Sequence, residues 1–512
     1  MIDCERRCVV PWSRQEQYAA LSYVWGGGGH DDDDELYEHG RLKELPLTIE
    51  DALSVTRNWG LRYIWVDRYC IDFRDETESH SQISQMNLVY QNAELGIIAA
   101  AGDDANFGLP GISTRSRSQQ PSKKFGDWQL VSTLTDPKKF LEASKWMKRG
   151  WTYQEGFFSP RRLIFTEEQV VFDCRAGIAC ESLPHFHTSS EGILSKQSHD
   201  YKRPWTVIEH LIQYSGRELS FESDAIKAFM GVFNEYSCQK WPVYQYFGIP
   251  VMPRAIAGPH GGPKPWDRSR TESFAAGLCW RSSASGIRRK QYPTWSWAGW
   301  NVPLAEKIPE CAEGLRIEKE TGLEIFVEDF QGSLKNFEHL DLSEVQNHTL
   351  DHHRFIHLEA WTLELNIQHL PDTKEWISVF HRKNFPPDNC SEYFAVFEDE
   401  TTAVHLALMF LDGDGFDGTQ VKAPLRDLKS LSYGIVLGRC ESAPVSRGLD
   451  GIFIMVVQER GDHFERVGHM VLRLSYLRMI PEPSQNIYDH LDAWVPWQLC
   501  FRSKKRRRLR IG

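Results

Sequence analysis

Residues 18–27 read YAALSYVWGG, an apolar run that ends in two large aromatic residues and enters four consecutive glycines at 26–29. Two more apolar runs of strand length follow, RYIWVD at 62–67 and LGIIAAAG at 95–102. Short apolar runs bounded by turn residues are typical of buried β-strands. The early part of the chain is therefore predicted to contribute three strands to one sheet.

The segments between these strands have the pattern of helices. PLTIEDALSVTRNWG at 46–60 offers Thr48 as an N-cap, and Gly60 ends the run. In the second segment, apolar residues recur at helical spacing at positions 83, 86, 90 and 93. Because alternating strands and helices of these lengths are typical of parallel βαβ units, we predict a doubly wound α/β domain.

Sheets of this kind bind their ligands beyond the carboxyl ends of the strands. Here those ends lie at Trp25 and Gly26, at Asp67 and at residues 102–103, and we expect the three segments to meet at one rim. A carboxylate that follows an apolar strand must find a polar partner there. Asp67 is thus expected either to orient a substrate or to cap the next turn.

A further helix is predicted over SKWMKRGWTYQEG, residues 144–156. Trp151 and Glu155 are four residues apart, which places them on one helical face. A helix that follows a strand normally begins at the carboxyl rim of the sheet, so we expect Glu155 to point into the same cleft.

Beyond residue 185 the composition changes twice. Residues 186–319 are predicted to be a mostly helical, aromatic-rich connecting region that includes PTWSWAGW, and residues 320–500 read as successive strands of a β-rich C-terminal lobe. The first domain is assigned to residues 1–185, and RSKKRRRLR makes residues 501–512 a basic tail. A chain of 512 residues is long enough for this many parts, because single cores stop growing near roughly 250 residues.

The charge distribution argues against nucleic acid as the main partner. The net charge is −11, and seven basic residues lie between positions 502 and 510, so the remainder carries −18 and repels phosphate. The tail itself is interpreted as a nuclear-import signal, a phosphate-binding arm or a solvated disordered end. Without a long apolar run or a leader-like start, the protein is expected to be cytoplasmic, with no membrane partner. The eleven cysteines match no common zinc pattern, so no metal site is predicted.

Four blocks of the sequence resemble the fungal heterokaryon incompatibility (HET) domain. They are YAALSYVWG, then YIWVDRYCID with DETESHSQISQMNLVYQNA, then AAAGDDANFGLPGIS, and finally WMKRGWTYQE with SPRRLIFT. Their order and spacing resemble the family over residues 18–174, although Phe73 stands where the family usually has glutamine and GGGGHDDDDE lengthens a loop. The resemblance implies a role in non-self recognition and regulated cell death in filamentous fungi.

The HET domain is in turn similar to TIR domains, some of which hydrolyse NAD. This likeness implies a TIR/flavodoxin-like parallel sheet and NAD as a substrate, with no bound cofactor. It also implies self-association and a signalling protein as partners. The residues concerned are Glu155 as the catalytic carboxylate and, for substrate binding, Tyr23, Trp25, Gly26, Asp67 and Trp151.

The chemistry fits a single carboxylate. The nicotinamide ring is a cationic pyridinium while bonded to ribose and departs as a neutral molecule, so cleavage of the bond needs no general acid. An ordinary glycosidase, in contrast, needs two carboxylates at a set separation. In this interpretation Glu155 holds the ribose hydroxyls, Trp25 or Trp151 stacks on a ring of the substrate, and the glycines after Trp25 approach the diphosphate with backbone N–H groups.

The alternatives assign no chemistry to these residues. Glu155 is equally well explained by a salt bridge to Arg149, Arg161 or Arg162, and the tryptophans by core packing. Under that interpretation the domain is a non-catalytic signalling or assembly module of the same fold. A nucleic-acid-binding protein that uses the basic tail is a third hypothesis.

Overall fold

A computed structural model shows the fold of the chain. The residues that it describes are 1–13, 15–26, 37–38, 41–42, 44–117, 119–183, 186–187, 193–194, 203–253, 269–282, 286–304, 315–316, 322–345, 354–369, 393–398, 404–411, 431–440, 451–473 and 504–512. They fall into two compact units, one formed by Met1–Tyr201 with Arg217–Glu235 and the other by Lys202–Gly216 with Tyr236–Gly512.

The first unit contains strands and helices in alternation. Its strands are β1 (Ile2–Asp3), β2 (Cys8–Val9), β3 (Tyr18–Ser22), β4 (Tyr37–Glu38), β5 (Arg41–Leu42), β6 (Tyr63–Trp65), β7 (Leu95–Ala99), β8 (Ser122–Phe125), β9 (Trp128–Val131), β10 (Arg161–Phe165), β11 (Val170–Cys174), β12 (Gly177–Cys180) and β13 (Phe186–His187). Its helices up to residue 158 are α1 (Leu47–Asn58), α2 (Asp67–Cys70), α3 (Glu76–Ser84), α4 (Met86–Asn92), α5 (Pro137–Ala143), α6 (Lys145–Lys148) and α7 (Thr152–Phe158).

Nine of these strands form one mixed sheet in the order β13-β12-β11-β10-β7-β3-β6-β1-β2. The four central strands β10, β7, β3 and β6 are parallel, as the βαβ pattern predicts. The edge pairs are antiparallel, so the expectation of a parallel sheet is wrong for the edges. The turn between β10 and β11 spans only residues 166–169, and so short a connection can join antiparallel strands but not parallel ones.

The two faces of the sheet bury different side chains, because successive residues of a strand point to opposite faces. On one face Ala19, Leu21 and Tyr23 belong to a core cluster with residues of α1. On the other face Val24, Ile98 and Trp146 belong to a second cluster. Alternation places Ser22 with the second group, which decides what this buried hydroxyl can contact.

Two predicted helices are each broken in the structure. The apolar positions 83, 86 and 90 fall on α3 and α4, which meet at Gln85. The predicted helix over 144–156 is wrong, because α6 ends at Lys148 and α7 begins at Thr152. Arg149 takes an extended backbone with ψ 139°, and the Gly150 N–H donates to the Glu218 carbonyl at 2.7 Å. This hydrogen bond to Glu218 takes the place of a helical hydrogen bond from the Gly150 N–H, and the chain changes direction there.

The second unit contains helices, short hairpins and a large antiparallel sheet. Helix α8 (Thr206–Ser215) belongs to this unit, whereas the 3-10 turn Glu222–Asp224 and most of α9 (Lys227–Ser237) belong to the first unit. The remaining helices of the second unit are α10 (Arg270–Leu278) and α11 (Leu342–Val345), with 3-10 turns at Trp297–Gly299 and Phe337–His339. The later strands are β14 (Tyr244–Tyr246), β15 (Ile249–Val251), β16 (Ile287–Arg288), β17 (Trp300–Asn301), β18 (Leu315–Arg316), β19 (Glu324–Glu328), β20 (Leu334–Asn336), β21 (Ile356–Glu364), β22 (Asn366–His369), β23 (Tyr393–Glu398), β24 (Val404–Leu411), β25 (Ser432–Cys440), β26 (Gly451–Arg460), β27 (His463–Arg473) and β28 (Lys505–Ile511). The β-rich C-terminal region predicted from the sequence is thus present.

The basic C-terminal segment is a strand and not a disordered end. β28 pairs with β21 along its whole length and with β27 at Phe464, which closes a ring of five strands, β21-β25-β26-β27-β28. Its guanidinium groups bind carboxylates of the neighbouring strands, for example Arg508 to Glu359 at 2.6 Å and Arg510 to Glu328 at 2.7 Å. The prediction of a solvated tail is therefore wrong, since acidic side chains distant in sequence neutralise it. Recognition of this segment as an import signal would require β28 to leave the sheet.

Candidate active site

Glu155 lies at the carboxyl ends of the parallel strands. Helix α7 carries it to the last residue of β3, where the Ser22 hydroxyl donates a hydrogen bond to Glu155 Oε2. Ser22 Oγ in turn accepts a hydrogen bond of 2.7 Å from the indole N–H of Trp146. The Ser22 hydroxyl has a single proton and its oxygen already accepts the Trp146 N–H, so that proton is donated to the Glu155 carboxylate. The side chains of all three residues are buried.

The environment of Glu155 favours its protonated form. Burial raises its pKa to about 7, and the nearby charge of Asp67 contributes to the rise. Hydrogen bonds from Ser22 and Tyr90 and the charge of Arg149 act in the opposite direction. At neutral pH this carboxyl group therefore holds a proton more readily than an ordinary glutamate does.

Asp67 lies at the end of the adjacent parallel strand, as predicted. It is the first residue of α2, and its carboxylate accepts a hydrogen bond of 2.7 Å from the Arg68 backbone N–H and one of 2.9 Å from the Trp25 indole. Burial raises its pKa to about 6 despite these bonds. Both expected roles of Asp67 are compatible with this geometry, because its carboxylate binds a backbone N–H in the first turn of α2 and also the Trp25 indole.

Tyr23 supplies a buried polar atom without a partner. Its side chain is 3% exposed, and its hydroxyl makes no hydrogen bond with any residue that the structure describes. Burial, followed by the charge of Asp67, raises the pKa of this phenol well above its ordinary value. An orphaned buried hydroxyl is costly, and at a strand end it is a natural contact for a ligand.

Comparison with known families identifies the segment that carries these residues. The family model "Heterokaryon incompatibility protein (HET)" matches residues 18–155, a segment that begins at β3 and ends at Glu155. The chain carries a HET domain. No curated protein and no solved structure matches the chain.

Trp25 and Gly26 line the same rim of the HET domain. The Trp25 ring is half-buried and contacts Phe73 edge-on at 5.9 Å between centroids, so the unusual Phe73 packs where the family commonly has an amide. Gly26 has φ +87°, and an added Cβ would lie 2.7 Å from Asp104 Cβ. Only glycine fits this position without strain. Glycines 27–29 and the acidic run after them lie outside the described residues.

Trp151 and Glu155 lie one helical turn apart, as their spacing of four residues predicts, but their side chains have different partners. Trp151 is the N-cap of α7 with helical backbone angles, and its carbonyl accepts a hydrogen bond of 3.5 Å from the Glu155 N–H. The Trp151 indole N–H donates to Asp224 at 3.1 Å, while Glu155 accepts a hydrogen bond from Ser22. The structure thus places Tyr23 and Trp25 beside Asp67, whose charge acts on Glu155, and turns Trp151 towards the 3-10 turn Glu222–Asp224.

The salt-bridge explanation of Glu155 is wrong for two of the three arginines. Arg161 pairs with Glu94 at 2.6 Å, and Arg162 pairs with buried Asp173 at 3.2 Å. The ion pairs among the described residues do not include Glu155, and Arg149 influences it only through its charge. Arg162 instead donates to the Gly156 carbonyl at 2.9 Å, which anchors α7 to the sheet.

Sequence reasoning missed Ser22, Tyr90 and Trp146, and it named Arg149 only as a salt-bridge partner of Glu155. Ser22 has a detectable signal, since it is the one small polar residue within the strand core ALSYV. Tyr90 and Trp146 have none, because their importance depends on which elements pack together. In the described part of the chain no cluster of three or more His, Cys, Asp or Glu side chains is arranged to hold a metal ion. Among the described helices, none has the length and apolar character needed to cross a bilayer.

Proposed function

We propose that this HET domain acts in fungal non-self recognition and regulated cell death by cleaving the nicotinamide–ribose bond of NAD. The observation that carries the proposal is the meeting of Glu155 with Ser22 and Asp67 at the carboxyl ends of β3 and β6. Two carboxylates with raised pKa values beside an unpartnered hydroxyl are the kind of arrangement found at functional sites.

The strand order supports a TIR- and flavodoxin-like classification of the domain. Numbered by their order in the chain, the four parallel strands β3, β6, β7 and β10 lie side by side as 2-1-3-4. In doubly wound sheets of this order ligands bind where the direction of winding reverses, between the first and third strands. Those strands are β3 and β7, and Ser22 ends the first of them.

The proposed reaction uses Glu155 in its ionised form. The bond between ribose C1′ and the nicotinamide nitrogen breaks, the electron pair goes to the nitrogen, and neutral nicotinamide leaves. Water then adds to C1′ and loses a proton, which gives ADP-ribose. The Glu155 carboxylate stabilises the positive charge that develops on the ribose, and the cationic substrate favours ionisation of this carboxyl group.

The remaining rim residues fit substrate binding. Tyr23 donates a hydrogen bond from its unpartnered hydroxyl to a substrate oxygen, and the Trp25 ring stacks on the substrate. Asp67 orients Trp25 through their hydrogen bond and lies near Tyr23, so it positions both side chains. Gly26 allows the chain to pass close to the diphosphate. Trp151 is proposed to contribute indirectly, by fixing the start of α7 through Asp224.

Burial of Glu155 points to a regulated activity. Its side chain is only 5% exposed, so the ribose reaches it only after local opening at the rim. A site that is closed in a single copy and opened by self-association would keep NAD intact until a signal arrives. We therefore propose self-association, promoted by a signalling partner, as the switch.

Nicotinamide release tests the proposal. The full chain is concentrated until it self-associates and is incubated with NAD, and the products are separated by chromatography. Wild type is expected to release nicotinamide, and Glu155→Gln is expected to lose at least about a hundredfold in rate. Glu142→Gln, an exposed carboxyl on α5, serves as the matched control and should retain activity. If assembled wild-type protein releases no nicotinamide, the hydrolase proposal fails.

A second candidate function is a non-catalytic signalling or assembly module. The observation that favours it is that Glu155 is buried and already hydrogen-bonded, which is also how a structural carboxyl group behaves. Under this alternative Glu155→Gln leaves cell-death signalling intact when the variant is expressed in fungal cells. Loss of both NAD cleavage and signalling in the same variant favours the enzyme.

A further inference from the structure

A small hairpin of the first unit exposes an apolar face. β8 and β9 form a separate two-stranded sheet in which Phe125 pairs with Trp128 and Lys123 with Leu130. Because paired and alternate residues share a face, these four side chains lie on the same side. Phe125 is 50% exposed, Trp128 80% and Leu130 62%. We name Lys123, Phe125, Trp128 and Leu130 the hairpin face.

An isolated two-stranded hairpin is at best marginally stable in water, and contiguous exposed apolar residues usually mark an interaction site. The surroundings of the hairpin are basic. Residues 115–149 contain nine Lys and Arg against three Asp and Glu, a net charge of +6, so the rest of the chain carries −17. Lysines 123, 124, 138, 139, 145 and 148 are all exposed. A surface that binds this basic hairpin should therefore be acidic around an apolar centre.

The same unit carries a surface of that description. Phe221 is 70% exposed and lies between the exposed Glu218 and Glu222 in the segment before α9. Helix α3 adds the exposed Glu76 and Glu78. It belongs to the same unit as this segment. We name Glu76, Glu78, Glu218, Phe221 and Glu222 the acidic patch.

We infer that the hairpin face of one copy of this chain docks on the acidic patch of a second copy. The aromatic side chains of the hairpin cover Phe221, and the lysines pair with the glutamates around it. The inference deepens the proposed switch by self-association and rests on it. Since the two surfaces differ, the contact is heterologous, and its repetition adds further copies in a ring or an open series.

A second copy is favoured over a lipid surface. Asp127 stands at the tip of the hairpin between Phe125 and Trp128, where insertion into an anionic membrane would bury a negative charge. The large negative charge of the remaining chain also opposes approach to anionic lipid. For a second copy the same negative charge is attractive to the basic hairpin.

The test is sedimentation velocity of the full chain over a range of concentrations, with two blocked variants. Trp128→Ser with Lys123→Glu blocks the hairpin, and Phe221→Ser with Glu222→Lys blocks the patch. Each blocked variant alone should associate about tenfold or more weakly than wild type. The matched control Phe330→Ser, which removes a phenyl group that is 67% exposed in the other unit, should associate like wild type.

Mixing the two blocked variants gives the decisive result. Each retains one intact surface, so the mixture should form a one-to-one complex that grows no further. If the patch-blocked variant associates as well as wild type, hairpins pair with each other and the inference is wrong.

It is also wrong if wild type stays monomeric while it binds phosphatidylcholine vesicles with roughly a quarter phosphatidylserine through the hairpin. Sedimentation requires no turnover, so failure of this inference is distinguishable from failure of NAD cleavage. Circular dichroism checks that the blocked variants remain folded.

Discussion

Replacing Glu155 by glutamine should stabilise the first unit at alkaline pH. Glutamine preserves the shape of the side chain and an oxygen that accepts from Ser22, but it removes the charge. The pKa of Glu155 in the folded chain is about 7, against an ordinary value of 4.5. The folded state therefore holds a proton between these two pH values that the unfolded state has already lost, and folding stability falls as the pH rises through this window.

The size of the effect follows from the shift. Two and a half pKa units correspond to about 3 kcal/mol, the cost of ionising Glu155 in the folded state at pH values well above 7. Near pH 4 the group is largely protonated in the folded chain, and most of the cost is absent. Relative to wild type, Glu155→Gln should thus gain about 2 to 3 kcal/mol between pH 5 and pH 8.5.

Native-state hydrogen exchange is the appropriate assay. Peptides that cover β3 and β7 report the opening free energy of the first unit alone, which a global melt of a two-unit chain would not isolate. Glu142→Gln on the surface of α5 controls for the change of net charge. A difference between Glu155→Gln and wild type that stays constant across this pH range would refute the assignment of a raised pKa to Glu155.

Three further changes test other parts of the molecule. Gly26→Ala should cost about 1 to 3 kcal/mol in opening free energy by hydrogen exchange, because it forces φ +87° on alanine and a clash with Asp104; an unchanged value would mean that the turn relaxes freely. Arg510→Gln should destabilise the C-terminal sheet by about 2 kcal/mol at neutral pH, as measured by hydrogen exchange of β21 peptides. The reason is that the hydrogen bond from Arg510 is the main cause that lowers the pKa of Glu328 to about 2. This loss should fade as the pH falls from 4.5 towards 2, and a loss independent of pH would contradict it. Tyr23→Phe should leave the free protein as stable or up to about 1 kcal/mol more stable, by the same exchange measurement, while raising the KM for NAD; a marked loss of stability would reveal a structural role for the hydroxyl.

The sequence alone was sufficient for the centre of the first unit. β3, α1, β6 and β7 follow from apolar runs and helical periodicity within short segments, and their alternation requires the parallel arrangement that the structure shows. These features are local, because the spacing of apolar residues within a short segment determines which of its faces is buried. The position of Asp67 at the rim follows for the same reason.

The partners of the polar side chains were decided only by tertiary structure. Ser22 and Glu155 are 133 residues apart, Trp151 and Asp224 are 73 apart, and Arg510 and Glu328 are 182 apart. No local pattern records such pairs, so the sequence predicts Trp151 in the cleft and does not reveal that the basic segment pairs as β28. A periodic apolar pattern tells which face of a segment is buried, but the pKa and the role of a charge depend on which distant segment folds against it.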